Sequence, residues 1–521
     1  MFTQQQYKIL KQSIHERYIK LYLLNFQFQR VNEISGNLIN CSISGDGNSD
    51  LRHNCNVSLV VSDSSFDIRA GGQIWLDKYI QPYIGTVDMS TGEIIWENQG
   101  IYLINSPSWD YDAITNTLSF DGLDLVSKLT GLRNGELEGI PTTIAQGENV
   151  REAIISVLAL AGFTRYVVSE CKNRDGVIQE VPYDLTVKQG STVWDLLKLL
   201  RDILPQYQMY FDKDGVFHYE LIPSGENMPS NFDDDLLNQL LIKENINTDF
   251  ESVKNYIEVY GSTHSVEFFS PEYTISTDNM NLVIDSNGVL GIQSDNNEML
   301  SLRIDENGII ENLYVDSNGI LGLSGSKTII NLTISNLVSI SEYVTIGFTT
   351  ESAINGYIYF NVNESGAKPL IDFNGNVIDS LDENTYYVAQ YTENGKWLFL
   401  GHLQAQAVFY DNNPDSPFYI NNTTGIIRHV CYGGEYENIQ SDDLALERAK
   451  LEIYWRCRLN DSIVLNTVPI PWIEVNTLFT HAIKNSEISE QWMIDKYSVD
   501  YNETGGMTIT AHKYYPYYPV I

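Results

Sequence analysis

The sequence predicts a mainly β protein with a smaller α+β part, and three observations support this fold class. Apolar and polar residues alternate along many short segments, as in residues 117–124 (TLSFDGLD), which is the period of a half-buried strand. The chain contains 33 tyrosines, a residue type enriched in strands. Gly, Asn and Asp cluster between these segments, where tight turns require them. At 521 residues the chain is too long for one core, so we expect about two to four domains.

Residues 1–131 are predicted to form a short helix followed by a first β-barrel domain. Tyr7, Leu10 and Ile14 are spaced for one apolar stripe, which favours a helix over residues 4–18. Short alternating segments separated by turn residues are typical of small barrels or sandwiches. The expected strands include residues 19–29, 37–44, 56–62, 94–104 and 117–124.

Residues 132–249 change character and predict an α+β domain. A helical pattern ends at Gly162, a residue type that favours helix C-termini. A second helical pattern has Ser191 as its expected N-cap and stops at Pro205, which cannot continue a helix. The predicted elements are helices over residues 148–162 and 191–204 and a hairpin of residues 206–211 and 216–222.

Residues 265–405 predict an acidic, β-rich insert made of a β-meander and a sandwich. They contain 18 acidic against 4 basic residues, a net charge of −14. Asn-Gly is the strongest short hairpin signal, because both turn residues need positive φ. Calcium loops normally add a closing Glu, so hairpin turns are favoured over calcium sites here. The turn motifs are Asp285-Ser286-Asn287-Gly288, Asp305-Glu306-Asn307-Gly308 and Asp316-Ser317-Asn318-Gly319.

Residues 406–521 predict a further β domain that carries one helix over residues 441–459. Ser441 is the expected N-cap of this helix, and Leu446, Ala449 and Ile453 are available to its buried side. The C-terminal residues are then predicted to form a hairpin.

The composition argues against a nucleic-acid-binding surface and gives no catalytic or metal-site signature. The net charge of −36 opposes phosphate binding, which needs clustered Lys and Arg. Five scattered cysteines and eight scattered histidines form no CxxC or HExxH pattern, so we expect no metal site, no cofactor and no disulfide framework. The cysteine usage and the absence of a secretion signal in residues 1–20 favour folding in a reducing cytosol.

The aromatic residues of the insert leave two interpretations open. They favour a buried core or cross-strand pairs, and they could alternatively form a platform on which sugar rings stack. The candidate glycan-binding residues are Tyr357, Tyr359, Tyr387, Tyr391 and Trp397, and Tyr386 belongs to the same aromatic group.

Several stretches resemble the tail-tip or baseplate hub proteins of phages that infect Gram-positive bacteria. Residues 100–111 (GIYLINSPSWDY) and 118–131 (LSFDGLDLVSKLTG) carry the resemblance, and residues 193–197 and 468–476 extend it. It covers most of residues 1–265 and 406–521. The 265–405 insert looks like modules of tail fibres and tip proteins.

The resemblance implies an architecture and a set of partners. It implies two tail-tube-like β-barrels, the second built from residues 250–264 and 406–521, with the α+β domain between them. A homotrimer would then present six related domains to a hexameric tail tube or distal tail ring, and a threefold face to a spike or tip protein. Phage DNA would pass through without specific binding. The expected location is the virion tail, assembled in the host cytoplasm.

Two alternatives compete with this non-enzymatic structural role. A host-surface recognition protein would bind glycans through residues 265–405. A cell-wall hydrolase would bring two carboxylates, or a His/Cys cluster, together in one cleft.

Overall fold

The computed structural model describes most of the chain. The described residues are 2–34, 37–61, 66, 68–111, 116–138, 142–172, 176–225, 227–278, 280–284, 290–294, 299–300, 313–315, 321–323, 327–373, 375–483, 489–502 and 505–516. No helix within these ranges is long and apolar enough to cross a membrane.

The chain divides into two compact units, which are described separately. Unit 1 consists of Met1–Lys254, Asn412–Tyr419 and Tyr454–Ile521, so it joins the two ends of the chain. Unit 2 consists of Asn255–Asp411 and Ile420–Ile453.

The N-terminal part of unit 1 is almost entirely β. A capping box closes the start of its helix, because Thr3 and Gln6 exchange side-chain and backbone hydrogen bonds. The elements are α1 (Gln4–Leu10), β1 (Arg17–Leu24), β2 (Arg30–Glu33), β3 (Asn37–Asp46), β4 (His53–Val60), β5 (Tyr79–Asp88), β6 (Glu93–Asn98), β7 (Tyr102–Tyr111) and β8 (Asn116–Leu123).

The middle part of unit 1 contains the mixed α and β elements. Thr192 and Asp195 form a capping box at the start of the second long helix, whose apolar face is buried. The elements are β9 (Thr142–Ile144), α2 (Val150–Leu160), β10 (Tyr166–Val168), β11 (Leu185–Val187), α3 (Val193–Ile203), β12 (Tyr207–Phe211), β13 (Phe217–Leu221), α4 (Asp234–Leu240) and β14 (Leu241–Asp249).

Unit 2 begins with a strand of its own, continues through the inserted residues and includes most of a long helix. The strands are β15 (Tyr256–Thr263), β16 (Phe268–Ser270), β17 (Tyr273–Asp278), β18 (Met280–Ile284), β19 (Leu290–Ser294), β20 (Met299–Leu300), β21 (Leu313–Val315), β22 (Leu321–Leu323), β23 (Lys327–Leu332), β24 (Thr345–Thr349), β25 (Ile354–Asn355), β26 (Tyr357–Val362), β27 (Lys368–Ile371), β28 (Ser380–Leu381), β29 (Tyr386–Tyr391), β30 (Trp397–His402), β31 (Gln404–Tyr410) and β32 (Arg428–Cys431).

The chain finishes with one helix and four strands. The Ser441 hydroxyl accepts a hydrogen bond from the Leu444 N–H, as an N-cap does. The elements are α5 (Asp442–Arg456), β33 (Asn460–Thr467), β34 (Leu478–Ala482), β35 (Ser489–Asp500) and β36 (Met507–Lys513).

One continuous sheet of 13 strands organises unit 1. Its order is β14-β33-β36-β35-β3-β4-β8-β7-β5-β1-β2, with β34 beside β35 and β6 beside β5. The N-terminal and C-terminal strands meet where β3 pairs antiparallel with β35, with Ser42 opposite Asp500. The inward side chains alternate along each strand and enclose one apolar core that includes Phe120, Trp492 and Ile509. The two ends of the chain therefore share one sheet and one core.

An eight-stranded sheet organises the inserted residues of unit 2. Its order is β16-β24-β29-β30-β27-β26-β23-β17. The edge strands β16 and β17 are consecutive in the chain and joined by residues 271–272, which span at most roughly 10 Å. The two edges must therefore lie close together, so the sheet curls around its core. That core contains Phe348, Phe360 and Trp397.

A small three-stranded sheet, β31-β15-β32, holds the two ends of the insert in unit 2. Strands β15 and β31 are antiparallel, and Thr263 lies directly opposite Gln404. The chain thus leaves this sheet and returns to it at the same place.

The predicted fold class is confirmed: the protein is mainly β and has few helices. Strands β1–β8 of the first predicted barrel and β33–β36 of the second are hydrogen-bonded into the single sheet of unit 1, whereas β15, β31 and β32 of the second form the separate three-stranded sheet of unit 2. The division into domains 1–131, 132–249, 250–264 with 406–521, and 265–405 stays a prediction.

Two local predictions were wrong. The first helix ends at Leu10 and not at residue 18, because residues 17–24 pair with β5 instead. The N-cap of α3 is Thr192 and not Ser191.

The hairpins predicted around two of the Asn-Gly turns are present. Strand β18 pairs antiparallel with β19, and β21 pairs antiparallel with β22. The turn residues 285–288, 305–308 and 316–319 themselves lie outside the described residues.

Candidate functional site

Two of the predicted glycan-binding residues are part of the core of unit 2. The Trp397 side chain is 0% exposed and Tyr387 is 3% exposed. The Tyr387 ring packs against Phe348, with 5.9 Å between ring centroids. A buried ring offers no face to a sugar, so these two residues are corrected from glycan candidates to core residues.

Tyr391 and Tyr386 lie at the margin of that core. The Tyr391 ring meets the Trp397 ring edge-on, with 5.0 Å between centroids. The Tyr386 ring stacks in parallel on Phe269 at 5.4 Å, and Phe269 is itself 46% exposed. Both tyrosines therefore cover apolar neighbours.

Tyr357 and Tyr359 are on the outer face of β26. Side chains alternate along this strand, so that Ile358 and Phe360 point into the core. Tyr357 is 38% exposed, and the Lys327 ammonium lies 4.4 Å from the centroid of the Tyr359 ring.

A row of amides continues this outer face. The Asn361 amide donates to Asn331 Oδ1 at 2.8 Å, and the Asn331 amide donates to Ser276 Oγ at 3.2 Å. We call Tyr357, Tyr359, Asn361, Asn331 and Ser276 the tyrosine face. It combines aromatic rings with amide and hydroxyl groups, which are the groups that bind the apolar faces and hydroxyls of sugars.

A buried cluster of charged groups, which we call the junction cluster, joins three distant segments of unit 1. It consists of His53 at the start of β4, Asp124 after β8, and Glu474 before β34. His53 Nε2 lies 2.8 Å from Glu474 Oε1, and His53 Nδ1 lies 3.3 Å from Asp124 Oδ2. Asp124 also accepts hydrogen bonds from the backbone N–H groups of His53 and Val126.

A second layer of polar side chains surrounds the junction cluster. The Arg52 guanidinium donates to Gln208 Oε1 at 2.6 Å and lies 4.2 Å from the centroid of the Tyr210 ring. The Asn476 amide donates to the same Gln208 oxygen at 2.6 Å. The hairpin of β12 and β13 is thereby tied to the segments that precede β4 and β34.

The electrostatics of the junction cluster favour a charged imidazolium. Burial lowers the pKa of His53, but the charge of Glu474 and hydrogen bonds to both carboxylates raise it to about 9. Burial likewise raises the pKa of Glu474, but the His53 charge and hydrogen bond lower it to about 2. At neutral pH His53 is therefore charged and paired with the Glu474 carboxylate, and Lys213 Nζ lies 3.9 Å from the other Glu474 oxygen.

The geometry of the junction cluster gives little support for a catalytic role. The ring nitrogens of His53 face carboxylate oxygens and not a hydroxyl or thiol nucleophile. An adjoining cavity is lined in part by Gln99, Tyr102 and Lys213, and its volume is about 230 Å³ even with the solvent at its mouth included. This is below the roughly 300–1,000 Å³ of most small-molecule pockets. The junction cluster thus has the features of a structural element.

The comparisons with known proteins give one partial family match. Residues 415–518 match a family described as a domain of unknown function (DUF5048). No curated protein matches the sequence.

The chain is similar to solved structures of phage tail proteins. A tail protein from Neisseria meningitidis MC58 is 9% identical, with 95% of this chain and 96% of that chain covered and a TM-score of 0.46. The 43 kDa tail protein of prophage MuSo2 from Shewanella oneidensis is 9% identical, with 95% and 98% covered and a TM-score of 0.46. Prophage tail protein gp18 from Listeria monocytogenes EGD-e is 8% identical, with 95% and 94% covered and a TM-score of 0.41. All three are described as tail proteins, two of them from prophages.

Proposed function

We propose that this protein is a structural subunit of a phage tail tip or baseplate: a homotrimeric hub that joins the hexameric tail tube to the central spike and lines the DNA exit channel. The observation that carries the proposal is the continuous sheet of unit 1. In it, the N-terminal strands and the C-terminal strands lie side by side and are hydrogen-bonded through β3 and β35. Each chain thus supplies two neighbouring sets of strands, and three chains would supply six.

The edges of this sheet supply a means of closing a ring. Among the described residues, β2 and β14 each pair with a strand on one side only. All four residues of β2 are exposed, and Ile242 in β14 is 70% exposed. Unpaired edges invite association, and a head-to-tail contact between unlike edges closes into a ring when the rotation permits it.

The charge of the chain fits a channel through which DNA passes without binding. With a net charge of −36, the protein as a whole repels phosphates. A tail component that released DNA slowly would hinder ejection, so this repulsion suits the proposed position.

A non-enzymatic role forms part of the same proposal. Two buried histidines that are candidates for acid–base chemistry are each held between two carboxylates: His53 between Asp124 and Glu474, and His481 between Asp234 and Glu244. This arrangement supports a role of His53 in stability.

Mass measurement in solution and negative-stain imaging test the hub. We expect a particle of three times 59.2 kDa with threefold symmetry. Val31→Glu on the β2 edge should weaken the trimer, because the exposed valine would be replaced by a charge at the contact. Leu160→Glu on α2 is the matched control, since Leu160 is also exposed but belongs to a helix and not to an edge strand of the sheet. A monomeric wild-type protein at all concentrations would refute the hub.

A second candidate function, recognition of host-surface glycans, is favoured by the tyrosine face. Its hydrogen-bonded amides and half-exposed rings offer both contacts that sugars need. Binding of the full-length protein to isolated cell-wall polysaccharide would test it. Tyr359→Ala should reduce binding, whereas Tyr432→Ala, which changes an exposed tyrosine elsewhere in unit 2, should not. Equal binding by both variants, or no binding by the wild type, would reject this role.

A further inference from the structure

The small sheet of unit 2 directs a histidine and a cysteine toward its buried side. His429 and Cys431 are two residues apart on β32, so their side chains project from the same face. In the parallel register, His429 lies beside Ile257 and Cys431 beside Val259, both of which are 0% exposed. Cys431 itself is 2% exposed.

Helix α5 brings a carboxylate to the same place. Glu452 is on the buried face of the helix and is 1% exposed. One ligand atom each of His429, Cys431 and Glu452 lies within 4.8 Å of the other two. We call these three residues the thiol cluster.

The three donor types together select a class of ion. Thiolate and imidazole are preferred by zinc and similar transition metals, whereas calcium and magnesium take oxygen ligands. Zinc bonds of about 2.0–2.3 Å in a tetrahedron place ligand atoms roughly 3.3–3.8 Å apart. Closing from the observed limit of 4.8 Å requires movements of about 1 Å, which small side-chain rotations provide.

We propose that the thiol cluster binds one zinc-class divalent cation, with His429, Cys431 and Glu452 as its protein ligands. The ion would link strand β32 to helix α5, and its fourth position would be completed by water, as in other zinc sites with three protein ligands. This site is independent of the proposed hub function. It departs from the expectation from the sequence that the chain has no metal site.

The surroundings supply the outer layer that metal sites require. The Tyr436 hydroxyl donates to Glu452 Oε1 at 2.8 Å, and Arg448 Nε donates to the same oxygen at 3.0 Å. Arg448 also donates to Glu435 at 2.6 Å. These contacts fix the orientation of the Glu452 carboxylate, as outer-layer hydrogen bonds do in metalloproteins.

The charges also balance when an ion is bound. Arg448, Glu435 and Glu452 together carry a net charge of −1. Addition of a divalent cation and loss of the Cys431 proton bring the total to zero. A buried site with no net charge avoids the large cost of desolvating an isolated charge.

Metal titration of the full-length protein, purified without a histidine tag and treated with chelator, tests the site. We expect one equivalent of Zn²⁺ to bind and to raise the melting temperature. Co²⁺ should give a thiolate-to-cobalt charge-transfer band that Zn²⁺ displaces. Cys431→Ser should abolish the band, whereas Cys457→Ser, the matched control at a half-exposed cysteine outside the cluster, should keep it.

A second, more conservative substitution tests the site with a smaller perturbation of folding. Tyr436→Phe removes only the hydroxyl that contacts Glu452 and should weaken Zn²⁺ binding about 10- to 100-fold, as loss of an outer-layer partner does elsewhere. Circular dichroism would check that each variant is folded. The proposal is overturned if the wild type shows no thiolate band, or if the band persists in Cys431→Ser.

Discussion

His53 in unit 1 and His402 in unit 2 form the same kind of ion pair, but their side chains differ in exposure to solvent. Each imidazole contacts a carboxylate that is distant in sequence and so ties two segments together: His53 to Glu474, and His402 Nδ1 to Asp442. The His53 side chain is 9% exposed, whereas the His402 side chain is 32% exposed. The pKa of both is raised, for His402 mainly by its hydrogen bond to Asp442.

The comparison indicates that burial determines how much such an ion pair contributes to the free energy of unfolding. Water screens the His402 pair, so its loss costs little. Removal of His53 would leave the Asp124 carboxylate, which is only 2% exposed, without its cation, which is the costly case. The same type of ion pair should therefore contribute little to the stability of unit 2 and much more to the stability of unit 1.

The largest expected effect is that of His53→Ala. We expect the free energy of unfolding of unit 1 to fall by about 3–5 kcal/mol, the usual cost of breaking a buried ion pair from one side. Denaturant unfolding would measure it. His512→Ala is the control, because His512 makes a 2.6 Å pair with Asp495 whose side chains are 20% and 27% exposed. A loss of the same size in both variants would contradict the role of burial.

The pH dependence of the free energy of unfolding should reflect the ion pair of His53 and Glu474. The His53 pKa rises from 6.5 to about 9 on folding, so its contribution is complete below pH 6.5 and is lost as the pH rises through 9. The loss amounts to about 3 kcal/mol at most. Glu474, with its pKa lowered from 4.5 to about 2, contributes above pH 4.5 and loses this as the pH falls through 2. Unfolding curves from pH 6 to 10 should lose this slope in His53→Ala, and an unchanged slope would contradict the assignment.

Gly401→Ala should disturb the His402 pair through the backbone. Gly401 has φ of 91°, and an added Cβ would collide with the Asp442 carboxylate. We expect a loss of about 2–3 kcal/mol from backbone strain together with the displaced carboxylate. Hydrogen exchange of unit 2 peptides would measure it. Gly366→Ala is matched in φ, at 95°, but meets no atom within 4 Å, so it should cost only the strain of about 1–2 kcal/mol.

His402→Ala should have the smallest effect. The half-exposed pair with Asp442 is screened by water, so we expect a loss of about 1 kcal/mol or less. Hydrogen exchange of the same peptides, with and without added salt, would check it. A loss as large as that of His53→Ala would remove the distinction between the two histidines.

The sequence predicted the fold class well because local patterns carry it. Alternation identified strands such as β8, and Asn-Gly pairs marked the hairpins of β18 with β19 and of β21 with β22. The helix predicted to reach residue 18 shows where local patterns fail. Its apolar spacing favours a helix, but pairing of Arg17–Leu24 with β5 contributes more, and tertiary contacts override propensity.

The candidate sites were much less predictable. His53 is 71 residues from Asp124 and 421 residues from Glu474, so only the folded sheet brings the three together. Trp397 and Tyr359 have the same aromatic appearance in the sequence, and the phase of their strands decides which of them is buried. His429 and Cys431 are close in sequence, but their spacing alone matches no metal-binding motif. The third residue, Glu452, lies on helix α5 and approaches them only in the folded structure.

The antiparallel pairing of Thr263 with Gln404 has a consequence for how such a chain can evolve. Because the 140 residues from 264 to 403 leave and re-enter at one point, they can be replaced without changing the register of β15 and β31. A hairpin turn would suffice to close the gap. Natural recombination or protein engineering can therefore replace this segment with another one and so change the inserted domain. The strands on either side stay paired.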